Sequence, residues 1–486
     1  MIVTLITCVA IRIFLYVKAR NKRYQLFQYY GIPTPKTNIT SGNLDIFLHS
    51  NITRYKVEEE FYKSFGSVFG YYIGDEPGLI VIDLEILRKI FLEKMGSFKE
   101  RIALAVKSTL SHGILFAPHH KWKMMRKIMS PSFNSYATRG ESVQFVEDSI
   151  KLMLNYIEEK LTQTKGDRII LDMHDLMKST ALHMISSMAI RLPNVQVREN
   201  EPHVESLDAF LSTADKGFII QAIKYPIFLR IINLIAAHFE YDAQMATIHR
   251  ELGKTIDAKL KELRSISPDQ VDTKNQEKLI DFMIRLHYAG KLTRKEIIGN
   301  ADAILFAGYD TTSTTLTYVF WVLGKYTDIQ DKLRSDLMTY GTESGYLEQV
   351  LNETMRLYPT VITFTTRLAT ETVELDGLTI PQGTKVVYHT WLIQRNPKFW
   401  SEPEKFDPER FKKGVEIHPC AFAPFGLGER KCLGYQLAKL EMKMIICDIL
   451  LRYRLKTVSP DDLELITYAN NLTKPKEKVV VELQRL

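Results

Sequence analysis

Cys432 stands near the end of Pro424-Phe425-Gly426-Leu427-Gly428-Glu429-Arg430-Lys431-Cys432-Leu433-Gly434, and a helical pattern follows at once, from Tyr435 to about Leu450. A cysteine just ahead of a helix N-terminus lies at the positive end of the macrodipole, where free backbone N–H groups can point at its sulfur. Both effects favour thiolate over thiol. Gly426 and Gly428 let the chain turn close to something flat, and Gly434 lets the helix start approach it too. Arg430, two residues ahead of the cysteine, offers a planar fork for a carboxylate. A thiolate donating electrons to a haem iron, with an arginine on a haem propionate, would use all of these features. The plainer alternative is a buried free cysteine in a glycine-rich turn.

A second group able to do chemistry lies upstream, in Ala307-Gly308-Tyr309-Asp310-Thr311-Thr312. Small residues at 307 and 308 leave room for a flat ring and a diatomic ligand. Asp310 beside Thr311 gives a carboxylate–alcohol pair able to pass protons inward. Glycine and consecutive threonines are poor choices inside a buried helix, and a hydroxyl bonding back to a carbonyl can open the helical ladder there. The element that must carry them starts at Thr293, which forms a capping box with Glu296, and runs to about Tyr326. It is apolar most of the way round, so it must cross the interior. Two spaced pairs accompany it. Glu353 and Arg356 are three apart on one helix face, and Trp122 and Arg126 are four apart on another, a short helix expected to end before Pro131.

The chain as a whole resembles the cytochrome P-450 family. Trp122-x-x-x-Arg126, Ala307-Gly308-x-Asp310-Thr311-Thr312, Glu353-x-x-Arg356, Pro408-Glu409-Arg410-Phe411 and the cysteine loop occur in that family's order. The texture is closest to microsomal animal members that handle bulky lipophilic substrates. The resemblance implies one large, mainly α domain with a small β-rich lobe (α+β), the haem lying between the central helix and the helix after Cys432. It implies haem b with Cys432 as axial iron ligand and with Phe425, Gly426 and Gly434 shaping the loop. Arg430, Trp122, Arg126 and Arg367 would reach the propionates, and Ala307, Gly308, Asp310 and Thr311 would form the oxygen-activation site. Glu353, Arg356 and Arg410 would be a structural triad bracing the loop. Substrate would be met by Ser108–His120, Phe218–Phe239, Val361–Thr366 and Ile466–Leu472, the second of these also dipping into the membrane.

The implied activity is a monooxygenase that places one atom of O2 in a lipophilic substrate, with electrons from an NADPH-dependent reductase and possible help from cytochrome b5. The chain has no dinucleotide fingerprint of its own. Alternatives are an isomerase or dehydratase acting on a peroxide without external electrons, and a non-catalytic haem-binding sensor. The intact Asp310-Thr311 pair speaks against both. The connection from about Leu337 to Tyr346 is shorter than in many eukaryotic members of the family.

The 486 residues carry 64 basic and 57 acidic side chains, a net charge of +7. That suits an anionic membrane or an acidic partner and does not suggest nucleic acid. Lys121, Lys123, Lys127, Lys431, Lys439 and Lys443 are candidates for docking such a partner. Four cysteines in this length make no disulfide framework, and no pair has zinc spacing. Ile2 to Val17 is nearly continuous apolar sequence, broken by Arg12 and followed by Lys18, Arg20, Lys22 and Arg23. Residues 1–23 read as a signal anchor with a basic stop-transfer cluster, 24–40 as a proline-containing hinge and 41–486 as the catalytic domain. The expected place is the endoplasmic reticulum membrane, catalytic domain toward the cytoplasm, with a mitochondrial membrane as the alternative.

Overall fold

One helix, Arg294–Lys325, threads the core for 32 residues in a computed structural model of the chain. The structure describes residues 2–49, 53–101, 109–138, 140–190, 192–213, 242–265, 279–460, 462–468 and 471–486. The segment 218–239 therefore lies outside the described residues, as do 108 and 469–470 of two other cavity segments. The Thr293 side chain accepts from the Glu296 amide and the Glu296 carboxylate accepts from the Thr293 amide, so the capping box is complete. Around this helix pack Met173–Ile185, Leu279–Tyr288, Gly345–Leu357 and Tyr435–Leu450. The ladder stays α-helical through the glycine and threonines, although Thr311 Oγ1 does bond back to the Ala307 carbonyl at 2.7 Å.

Strands gather in small sheets among the described residues. The run Gly74-Asp75-Glu76-Pro77-Gly78 predicts a turn over all five residues, but β1 (Val68–Ile73) and β2 (Glu76–Val81) form a hairpin that closes at Gly74-Asp75. Pro77 can enter the strand because pairing of β2 with its other neighbour begins only at Gly78, so no ladder bond is lost there. β3 (Arg168–Asp172) is the first strand of a second sheet. β4 (Thr366–Leu368) carries Arg367. The pattern over Glu371–Ile380 predicts one strand, but the segment is a second hairpin, β5 (Val373–Leu375) and β6 (Leu378–Ile380), folded at Asp376-Gly377 with φ of 50° and 81°. β7 (Lys385–Tyr388) completes the first sheet, in the order β1-β2-β7-β4. β8 (Tyr453–Thr457), β9 (Leu465–Tyr468), β10 (Leu472–Pro475) and β11 (Val480–Arg485) close the chain, with β3-β11-β8 as one sheet and β9/β10 as a hairpin.

The helix bearing Trp122 runs His119–Thr138 and passes through Pro131 instead of ending before it. Met125, Met129 and Phe133, spaced four apart, are all buried on one face, and that packing outweighs the local cost of proline. The short Leu337–Tyr346 connection is a single 3-10 turn, Gly341–Glu343, after which Ser344 caps the next helix.

Residues Ile2–Tyr24 form one helix, but no helix among the described residues is long and apolar enough to cross a membrane. Arg12 and the basic cluster from Lys18 onward shorten its apolar run. The helix continues through that cluster into the body. Arg20 is buried, 2.7 Å from Asp75 Oδ1 in the first hairpin turn, and its Nε–H donates to Tyr24 Oη at 2.8 Å. Tyr24 in turn donates to the Gly74 carbonyl at 3.0 Å.

Candidate active site

The cysteine loop is built by backbone constraints. The Cys432 amide donates to the Phe425 carbonyl at 2.8 Å, which closes the loop on itself. Gly426 and Gly428 have φ of 75° and 65°, and a Cβ on Gly428 would lie 2.2 Å from the Phe91 carbonyl oxygen. Only glycine fits there without moving the chain. Gly434 has an ordinary φ of −92° at the N-cap of Tyr435–Leu450, so no left-handed backbone requires glycine there.

Cys432 has accessible surface, yet burial pushes its thiol above the usual cysteine range. The two observations agree if the surface faces a hollow inside the protein, shielded from bulk water. The Gly434 amide, Arg126, Lys431 and Arg101 pull the other way and favour the thiolate. The helix-start effects are thus present, but desolvation is the larger influence on the protein alone.

The central helix also has accessible surface in its middle. Phe306, Tyr309 and Asp310 are buried, whereas Ala307 is exposed and Gly308 and Thr311 are half-buried. Ala307 and Thr311, four apart, share one open face. Gly308 serves a different need: a Cβ there would lie 2.9 Å from Ile185, so glycine lets the two helices pack. Asp310 and Thr311 do not form the direct pair suggested by adjacency. Thr311 donates to Ala307, and Asp310 accepts a hydrogen bond from the Tyr468 phenol of β9.

Four arginines gather beside the loop: Arg101, Arg126, Arg367 and Arg430. Burial, then repulsion by Arg367, Arg430 and Arg126, pushes Arg101 down to about 9. Burial and Arg430 push Arg367 to about 10, and burial pushes Arg430 to about 10 as well. A guanidinium keeps its charge inside a protein, so these shifts express the cost of holding cations together away from water. Glu100 and Glu429 offset part of it. Arg367 donates to the Leu427 carbonyl at 2.9 Å and Arg126 to the Lys431 carbonyl at 2.8 Å. The Trp122 ring lies under the Arg430 guanidinium, 4.2 Å away. Arg430 Nε and Nη1 and Arg101 Nε are buried without a hydrogen-bond partner among the described residues. Unpaired buried donors on clustered cations fit a dianionic group, as the two propionates of haem b would be. Sequence reasoning missed Arg101, which follows Phe98-Lys99-Glu100 in a segment with no periodicity or motif.

Glu353, Arg356 and Arg410 are brought together below the loop. Arg356 Nε and Nη2 grip Glu353 at 2.7 and 2.9 Å, with both side chains fully buried. Arg356 also donates to the carbonyls of Gln394, Pro403 and Lys405. Arg410 Nε lies 3.5 Å from Glu353 Oε1, a charge contact, and its Nη2 donates to the Glu402 carbonyl. The pair thereby fixes the segment 394–410 that leads into the cysteine loop.

The basic residues proposed for docking are partly committed within the chain. Lys121 pairs with Glu296, and Lys439 and Lys443 both pair with Glu348. Lys123, Lys127 and Lys431 remain exposed.

Comparison with known proteins matches the profile described as Cytochrome P450 to residues 33–483. Cytochrome P450 3A18 of Rattus norvegicus is 26% identical over 94% of this chain and 93% of its own length. Cytochrome P450 3A5 of Homo sapiens is 27% identical over 95% of this chain and 93% of its own. Lithocholate 6-beta-hydroxylase of Mesocricetus auratus is 27% identical over 94% and 92%. With the profile spanning nearly the whole chain over a mainly helical fold with small sheets, this protein belongs to the cytochrome P450 family.

Proposed function

We propose that Cys432 is the thiolate that would hold the haem of this haem-thiolate monooxygenase, which places one atom of O2 in a lipophilic substrate. Electrons come from NADPH through a reductase. The observation that carries this reading is the arginine cluster beside the cysteine loop, with buried Arg430 and Arg101 donors that lack hydrogen-bond partners among the described residues, and accessible surface at Cys432, Ala307 and Thr311 supports it. Haem b, bound there, supplies the iron at which O2 is activated for insertion into a C–H or C=C bond.

The chain's own residues divide the remaining work. Arg101, Arg126, Arg367 and Arg430, with Trp122, would hold the propionates. The Gly434 amide and the nearby cations favour the ionised form of Cys432. The Phe425–Gly428 turn holds that sulfur in place, and the Glu353–Arg356–Arg410 group braces the turn from below. Ala307 keeps the oxygen side open, and Asp310 and Thr311 handle protons there.

The test is a carbon monoxide difference spectrum of the dithionite-reduced protein beside Cys432→Ala. A strongly red-shifted Soret band, lost in the variant, is expected. A band where histidine-ligated haem absorbs would overturn the thiolate assignment.

Residues 1–23 are proposed to associate with the endoplasmic reticulum membrane, with 24–40 as a link and 41–486 as the catalytic domain facing the cytoplasm. Ile11, Phe14 and Leu15, each more than half exposed, support membrane contact. A relative named for hydroxylating lithocholate supports a bulky substrate class. Lys123, Lys127 and Lys431 are proposed to meet the reductase, and cytochrome b5 is a second partner for the same face.

A further inference from the structure

Asp310 is 2% exposed and lies within a cluster of titratable groups from four elements. Its own helix contributes Tyr309 and Tyr318, and the hairpin β9/β10 contributes Tyr468 and Lys474. Lys178 comes from Met173–Ile185 and Asp208 from Pro202–Thr213. The carboxylate accepts from the Tyr468 phenol. Lys474 Nζ lies 4.7 Å from the centre of the Tyr468 ring, and Tyr318 Oη lies 3.3 Å from Thr473 Oγ1 on the same hairpin. Asp208 accepts from Tyr309 Oη at 2.8 Å and from Lys178 Nζ at 2.6 Å. The Asp208 side chain is 36% exposed, so the cluster is wet at one end and dry at the other.

We propose that Tyr468 is a positioning residue for proton delivery: its phenol holds the Asp310 carboxyl turned away from Thr311, and releasing that bond lets the carboxyl turn toward it. The inference rests on the monooxygenase reading of the site. In the transfer, the Asp310 carboxyl gives up its proton toward the Thr311 side. It regains one from water that reaches the cluster at Asp208. No electron moves, and Tyr468 and Tyr309 keep their protons, because burial holds both phenols well above their usual range.

The sign of the effect follows from the neighbours. Burial raises Asp310 to about 6, while Tyr468, Lys178 and Lys474 lower it and Asp208 raises it. Removing the phenolic hydroxyl must therefore raise the midpoint, and removing the Asp208 charge must lower it.

The experiment uses the full-length haem-loaded protein and reads the carboxylic C=O infrared band against pH. Asp310→Asn identifies the band by its loss. Tyr468→Phe, which keeps the ring, is expected to move the midpoint up by about one pH unit. Asp208→Asn, at a partly exposed site, is expected to move it down and serves as the second variant. The pH profile of kcat should shift with the band in each variant. An Asp310 band whose midpoint ignores both substitutions overturns the proposal, as does a kcat profile that does not follow the band. The carbon monoxide spectrum of each variant separates this outcome from failure of the monooxygenase reading, since a lost thiolate band indicts the haem site and leaves the carboxyl titration standing.

Discussion

Arg101, Arg367 and Arg430 are held together against their mutual repulsion, which makes them costly in the protein alone. Arg101→Leu is accordingly expected to raise the melting temperature of the haem-free protein while speeding haem loss to an acceptor globin. If both properties fell, Arg101 would be a folding residue only. The Glu353–Arg356 pair behaves oppositely. Arg356→Met leaves Glu353 buried with the Asp407 amide and the Arg410 contact, and should cost about 3–5 kcal/mol in urea unfolding. These two cases also mark what sequence could tell. Glu353 and Arg356 share a turn of helix, so their pairing is written in their spacing. Arg101 and Tyr468 acquire their neighbours only when loops far apart in the chain are brought together, and no local period announces that.

At the scale of elements, the central helix was legible end to end because its cap, its length and its apolar surface all agree. Thr293→Ala is expected to cost about 1 kcal/mol by thermal unfolding, since it removes the hydroxyl half of the capping box. Gly428→Ala should cost more, about 1–2 kcal/mol from the left-handed φ alone, with the collision at Phe91 added. It should also lower the fraction of protein that takes up haem, as read by the Soret-to-protein absorbance ratio. The misread elements share a cause. The helix continues through Pro131, and a two-residue turn replaces Gly74–Gly78. In both, contacts from elsewhere overrode a local breaker: the buried face of Met125, Met129 and Phe133 in one, the register of β2 against β7 in the other.

Across the whole molecule, three apolar clusters meet around the central helix and the first sheet, and the N-terminal helix joins the last of these through Tyr24. A chain beginning at residue 25 would lose Tyr24 from its 4.9 Å contact with the Tyr72 ring, and would lose Arg20 from Asp75. It is expected to melt several degrees below the full chain in differential scanning calorimetry, with Asp75→Asn in the full chain falling between the two. Equal melting temperatures would mean that the helix adds nothing to the body. The seating of Arg20 and Tyr24 on the Gly74-Asp75 turn has a mechanical consequence as well. A helix of 23 residues is a strut of about 35 Å, and one welded to its load transmits torque. Whatever angle that strut takes against a surface, the body beneath must take with it, so the heading of the body is geared to the helix instead of swivelling on a loose tether.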